Sequence, residues 1–300
     1  MLNALQRLKM NITPGINNIN SLRIVIFGTR NYIYIMSASI QNICVMPGLK
    51  PYVDDILLVE SDGKDFDCGL DIIEPDGTVK LAIALNNRIQ NYYENNTFIA
   101  QADRVTMVGM FDSPFKMEAL TNCKTQLLIV RLNAIGAYRF ININHESSVN
   151  KFHQFYDVLG GPIRELEDLL ANEKNVLQKI IKLQMYLQGI FGKVAPDLIF
   201  DHCVNKIIGT SGSIALKVLE DDTGYSSRWL NMKFKQKIGM GPKSFASIIR
   251  FKDVFKKVVT QRDFYLNDRI YLDHYYDQAH FLKDFKRYSG QTPSEFYSKS

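Results

Sequence analysis

Two stretches of this chain set out a row of side chains that includes polar and basic residues at the same spacing. Ser227, Arg228, Asn231, Met232 and Lys235 in the first answer to Gln278, Ala279, Leu282, Lys283 and Lys286 in the second. On a helix, steps of three and four residues bring side chains to one face. Arg, Asn, Gln and Lys are the types that bond base edges or hold phosphates. A pair of solvated amphipathic helices could show the same row, so the surrounding elements have to support the reading.

They do so as an internal repeat. Ser226–Phe245 aligns with Asp277–Phe296 without a gap at an offset of 51, matching Phe234 to Phe285, Lys235 to Lys286, Gly239 to Gly290, Pro242 to Pro293 and Phe245 to Phe296. A repeat of this length is one supersecondary unit built twice. In each copy Ser226 or Asp277 suits the N-cap, where its side chain can accept from orphan backbone N–H groups. Leu230, Phe234 and Ile238 share one helical face, as do Phe281, Phe285 and Tyr288 or Ser289. Gly239 and Gly290 suit the left-handed residue that ends a helix, and Pro242 and Pro293 the first turn of the next. Helices expected over Ser213–Asp222 and Tyr265–Asp273 precede the copies, with tight turns at Thr223-Gly224-Tyr225 and His274-Tyr275-Tyr276. Helix, tight turn, helix is the helix-turn-helix unit.

Charge follows the same division. The chain carries a net +5, yet residues 213–300 hold 16 Lys and Arg against 10 Asp and Glu, while the rest hold 20 against 21. A basic module on a neutral one suggests a polyanion as partner.

Upstream, the chain reads mainly as strands: Leu22–Phe27, Tyr32–Met36, Ile56–Glu60, Thr78–Leu85, Arg104–Met110, Thr125–Leu132 and Tyr138–Ile143. Turn formers such as Asp62-Gly63 and Asp76-Gly77 separate them, which suggests a sandwich or barrel. Ile163–Leu170 and Asn175–Phe191 then show helical spacing. The expected fold class is α+β: a β-rich N-terminal domain (1–150), a helical connector (151–205), and an all-α C-terminal domain (206–300) with two helix-turn-helix units joined by a linker helix.

Other chemistry finds little support. The chain has no GxxxxGKS, GxxxxGKT, GxGxxG or HExxH pattern. Cys44, Cys68, Cys123 and Cys203 lack zinc or redox spacing and read as buried or half-buried free thiols of a reducing compartment. Asp201-His202-Cys203 is compact, but adjacent residues cannot all face one metal from a helix. His280, just after a helix cap, reads as a packed, hydrogen-bonded histidine rather than a base. No enzyme activity, cofactor, metal or membrane span is expected, and the location expected is cytoplasmic.

The C-terminal region resembles the tandem helix-turn-helix domain of the arabinose-regulator (AraC) family. Tyr276-Asp277-Gln278-Ala279-His280-Phe281, Phe285-Lys286, Gly290 and Thr292-Pro293-Ser294-Glu295-Phe296 carry that likeness, with Gly224-Tyr225-Ser226, Arg228, Leu230, Phe234, Gly239 and Pro242-Lys243 matching its first motif. Glu74-Pro75-Asp76-Gly77 and Gly160-Gly161 are similar to a subgroup with a β-rich N-terminal domain of poorly understood ligand. The resemblance implies a transcriptional regulator of double-stranded DNA. Two recognition helices at the ends of a linker helix, about Pro242–Val259, would enter successive major-groove segments. It leaves open a small-molecule effector, with Tyr92, Tyr93, Phe98 and Phe140 as aromatic candidates. Also left open are a homodimer through Ile163–Phe191, and RNA polymerase as a partner if the chain activates.

Four positions depart from the family pattern. Glu220 and Ile270 replace a small residue, His274 a glycine, and Met232 a basic residue, and Glu220-Asp221-Asp222 adds an acidic run. Either the regulator has diverged and still works, or its first reading head has weakened and Gln278 and Lys283 carry recognition. The alternative function is a protein-interaction or sensor module with this fold that has lost operator binding.

Overall fold

A computed structural model describes residues 38–61, 71–119, 124–190, 193–260 and 274–298. The strands expected at Leu22–Phe27 and Tyr32–Met36, the helix at Tyr265–Asp273, Ile270, Cys68, Cys123 and the Asp62-Gly63 turn lie outside these residues.

Among the described residues, ten strands form two antiparallel sheets. They are β1 (Ala38–Ile43), β2 (Val53–Ser61), β3 (Asp71–Ile73), β4 (Val79–Ala84), β5 (Ile89–Tyr93), β6 (Asn96–Ala100), β7 (Val105–Val108), β8 (Phe115–Ala119), β9 (Thr125–Leu132) and β10 (Phe152–Gln154). The larger sheet runs β1-β2-β9-β4-β7-β10 and the smaller β3-β8-β5-β6. Residue alternation decides what each face meets. Register sets Val79, Leu81 and Ile83 beside Leu132, Val130 and Leu128. These six belong to a cluster that continues into the helices. Val59, Ala82, Leu127 and Ile129 face the other way and pack with Ile89, Phe98 and Ala100 of the smaller sheet.

The helices are α1 (Ala134–Phe140), α2 (Phe155–Leu159), α3 (Gly161–Ala171), α4 (Val176–Ile190), α5 (Leu198–Gly209), α6 (Leu216–Thr223), α7 (Ser227–Ile238), α8 (Pro242–Thr260), α9 (Gln278–Ser289) and α10 (Pro293–Ser298). A 3-10 turn, His145–Ser148, follows α1. One apolar cluster runs from Val45 through the larger sheet to Phe296 in α10, so the larger sheet and the C-terminal helices share a core. Among the described residues no helix is long and apolar enough to cross a membrane.

One element differs from the sequence expectation. Tyr138–Ile143 does not form a strand, because Tyr138–Phe140 completes α1 and Ile141 caps it. The aromatic and β-branched residues there favour strands by propensity, but tertiary packing overrides that preference. The Asn133 side chain accepts from Gly136 N–H at 2.8 Å and starts the helix. Ala134, Ala137, Tyr138 and Ile141 then bury one face at helical spacing. The helix before the first repeat also starts later than expected, at Leu216 rather than Ser213.

Candidate nucleic-acid interface

Each copy of the repeat is a helix closed at both ends. In α7 the Ser226 hydroxyl accepts from Trp229 N–H at 3.4 Å, and Gly239 ends the helix at φ 86°. In α9 the Asp277 carboxylate accepts from His280 N–H at 2.7 Å, and Gly290 ends it at φ 75°. Positive φ is the region where a side chain costs most, so glycine belongs there. Gly224, at φ 73°, turns the chain from α6 into α7.

The buried faces hold both helices in place. Leu230, Phe234 and Ile238 anchor α7, with the Phe234 ring 4.8 Å from Phe200 of α5. Lys233 and Lys237 reach Asp197 at 2.7 and 3.7 Å. Burial disfavours ionisation of Asp197, but Lys233, the Phe200 N–H and Lys237 together outweigh it and lower its pKa. Phe281, Phe285, Tyr288 and Ser289 anchor α9. Arg250 of α8 bolts α9 down, bonding the Asp284 carboxylate at 3.2 Å and lying 4.7 Å over the Tyr275 ring. His280 is half exposed, with Nε2 3.8 Å from the same carboxylate. Lys257 of α8 lies 3.0 Å from His274.

Opposite the buried faces, Arg228, Asn231 and Met232 of α7 are exposed, while Ser227 and Lys235 are partly covered. Gln278, Ala279, Leu282, Lys283 and Lys286 of α9 are all exposed. Met232 is 59% exposed. Ser226, Arg228, Trp229, Asn231, Met232 and Lys235 line an open concavity of about 600 Å³, and Glu146 from the 3-10 turn closes one side.

The acidic run beside α7 is tied down. Glu220 accepts from Ser227 N–H at 2.5 Å. Asp221 pairs with Lys217 at 2.9 Å and Asp222 with Lys206 at 3.1 Å. Glu220 therefore satisfies one orphan donor at the start of α7. Sequence reasoning missed this role because it takes a turn to bring Glu220 back to Ser227.

The Glu74-Pro75-Asp76-Gly77 segment is buried against α8. A Cβ on Gly77 would lie 2.9 Å from Ile249 Cδ1 and 3.3 Å from the Phe245 ring. Burial opposes ionisation of Asp76, yet Lys80, Arg131 and Lys252 hold its carboxyl far below the usual range.

The remaining candidates scatter. Asp201 accepts from Tyr138 Oη at 2.7 Å, His202 lies 3.5 Å from Asp222, and Cys203 is buried. Burial pushes the Cys203 thiol up to about 11. Among the described residues no three His, Cys, Asp or Glu side chains are grouped to hold a metal. Tyr92 bonds Glu118 at 2.8 Å, Tyr93 packs edge-on to Phe111, and Phe98 stacks on Phe152. Phe140 packs against Tyr52 in the other cluster, so these four aromatics do not converge on one pocket.

No protein-family model matches the chain, and no curated protein matches it. Solved structures do resemble it. One is an apo variant of ToxT from Vibrio cholerae, at TM-score 0.46 and 12% identity, covering 81% of this chain and 97% of that one. Wild-type ToxT with an unsaturated fatty acid bound gives 0.45 and 11%, over 90% and 96%. The AraC-like transcriptional activator CuxR gives 0.25 and 12%, over 73% and 86%.

Proposed function

We propose that the chain is a sequence-specific, DNA-binding transcriptional regulator with two helix-turn-helix units, α6–α7 and a second ending in α9, joined by α8. The observation that carries this reading is the repeat itself. Two helices at an offset of 51 share a side-chain N-cap, a left-handed glycine C-cap, an anchored apolar face with a buried phenylalanine, and an outward row that includes exposed donors. Ser226, Ser227, Arg228, Asn231, Met232 and Lys235 form the first reading surface. Gln278, Ala279, Leu282, Lys283 and Lys286 form the second. Arg228 and Gln278 suit purine edges, Lys235, Lys283 and Lys286 suit phosphates, and Met232 and Leu282 suit thymine methyl groups. Two such helices reading one face of a duplex meet major-groove segments about one turn apart.

The proposed division stays at 1–150, 151–205 and 206–300, with α5 carrying the chain across the second boundary. A small-molecule effector and a homodimer through α3 and α4 belong to the N-terminal part of this proposal, and RNA polymerase is the partner if the chain activates. The second reading is a protein-interaction module, favoured by the exposure of Met232, Leu282, Tyr225 and Tyr276.

Repeated selection from a random duplex library separates the two. A regulator enriches two short motifs about one helical turn apart. An interaction module enriches none.

A further inference from the structure

Two loops of the N-terminal half are zipped into one platform. Asn150 Nδ2 donates to the Asp112 carboxylate at 2.7 Å, and Asp112 N–H donates back to Asn150 Oδ1 at 2.9 Å. Gly109 N–H donates to Lys151 C=O at 2.9 Å, and Asn150 N–H to Met110 C=O at 3.1 Å. No side chain fits at Gly109, where a Cβ would fall 1.8 Å from the Ser148 carbonyl.

This platform touches both copies of the repeat at the same place, the C-terminal end of the exposed helix. A Cβ on Gly239 would lie 2.3 Å from Val149 Cγ2 and 2.6 Å from the His145 carbonyl. At the matching Gly290 it would lie 3.4 Å from Pro114 Cγ. Beside each glycine the platform presents one acid to one cation of the helix. Glu146 Oε1 lies 3.2 Å from Lys235 Nζ, and Asp112 Oδ2 lies 3.1 Å from Arg287 Nη2. All four side chains keep solvent contact. Glu146 also borders the concavity that Arg228 and Asn231 line.

We infer that Glu146 and Asp112 act as paired electrostatic brakes on DNA binding, each occupying a cation that would otherwise meet a phosphate. This rests on the DNA-binding reading above and names the regulation of that surface at Lys235 and, beside it, at Arg287. The platform is internally bonded, so both acids stay with it, and a change that shifts the platform releases both helices together. While the acids are in place, each partly neutralises its cation, which then releases fewer counterions from DNA. Each acid also lowers the positive field that its helix presents to a duplex.

The test is a salt titration of duplex binding by the full chain, its Glu146→Gln and Asp112→Asn variants, and the double variant. Both substitutions remove charge and keep hydrogen-bonding capacity, and circular dichroism checks that the fold is retained. Exposed pairs are weak, so the double variant is expected to bind roughly 2- to 30-fold tighter at low salt. Its slope of log affinity against log salt is expected to steepen by up to about 1.8, from about 0.9 per phosphate neutralised. Adding Lys235→Ala and Arg287→Ala is expected to cancel both gains. Parental binding with no gain in the double variant overturns the brake and leaves the DNA reading standing. Weaker binding overturns it too, because the platform would then support the bound state. Absence of duplex binding in every protein overturns the DNA reading and the brake with it.

Discussion

The Glu220 carboxylate lies 2.5 Å from the backbone nitrogen of Ser227, closing the start of α7 from the end of the preceding helix. A residue that looks misplaced beside the proposed nucleic-acid surface thus works as a cap. Glu220→Ala is expected to cost about 0.5–2 kcal/mol, the range for losing a capping side chain. Urea unfolding measures it as a lower midpoint at unchanged slope, and an unchanged midpoint would contradict the capping role.

Gly224 and Gly239 separate backbone strain from crowding. Both have positive φ, at 73° and 86°. A Cβ on Gly224 meets nothing within 4 Å, whereas on Gly239 it meets Val149 and the His145 carbonyl. Gly224→Ala is expected to cost about 1 kcal/mol from conformation alone. Gly239→Ala is expected to cost about 2 kcal/mol more than that, since the platform must move aside. Equal losses in the two variants would mean that the platform does not press on α7.

His145 makes the platform sensitive to acid. Burial lowers its pKa to about 4, with Lys237 pushing the same way and the Ile141 carbonyl bond opposing. The unfolded value is about 6.5. The folded group resists protonation, so its contribution is fully present above pH 6.5 and is lost as pH falls toward 4. Between pH 7.5 and 5 the expected loss is about 2 kcal/mol. Unfolding midpoints for the parent and His145→Gln at both pH values isolate this share. A variant as acid-sensitive as the parent would contradict it.

The elements written in the sequence are those with local signals. Thr125–Leu132 stands in the structure with the limits that its β-branched run suggests. Ser226 and Asp277 announce their helices, because a cap acts on N–H groups only a few residues away. Tyr138–Ile143 misleads because its propensity is local while its burial against α5 and α7 is not. The platform was not legible at all. Glu146 and Lys235 are 89 positions apart, and Asp112 and Arg287 are 175 apart. Neither pair has a spacing rule, and only the fold brings them together. The same holds for Gly77, whose neighbours Phe245 and Ile249 belong to α8.

DNA reading by the exposed rows of α7 and α9 is tested most directly by one comparison of affinities. Binding to a selected duplex and to a scrambled one is measured in the parent and in the Arg228→Ala, Gln278→Ala, Lys283→Ala triple variant. A regulator binds its specific site about 10³–10⁷ tighter than random duplex. The parent is expected to show such a preference and the triple variant to lose most of it, at about 1–3 kcal/mol for each specific base contact. A triple variant that keeps specific affinity within about twofold of the parent, well under the cost of even one such contact, would contradict DNA reading by these helices.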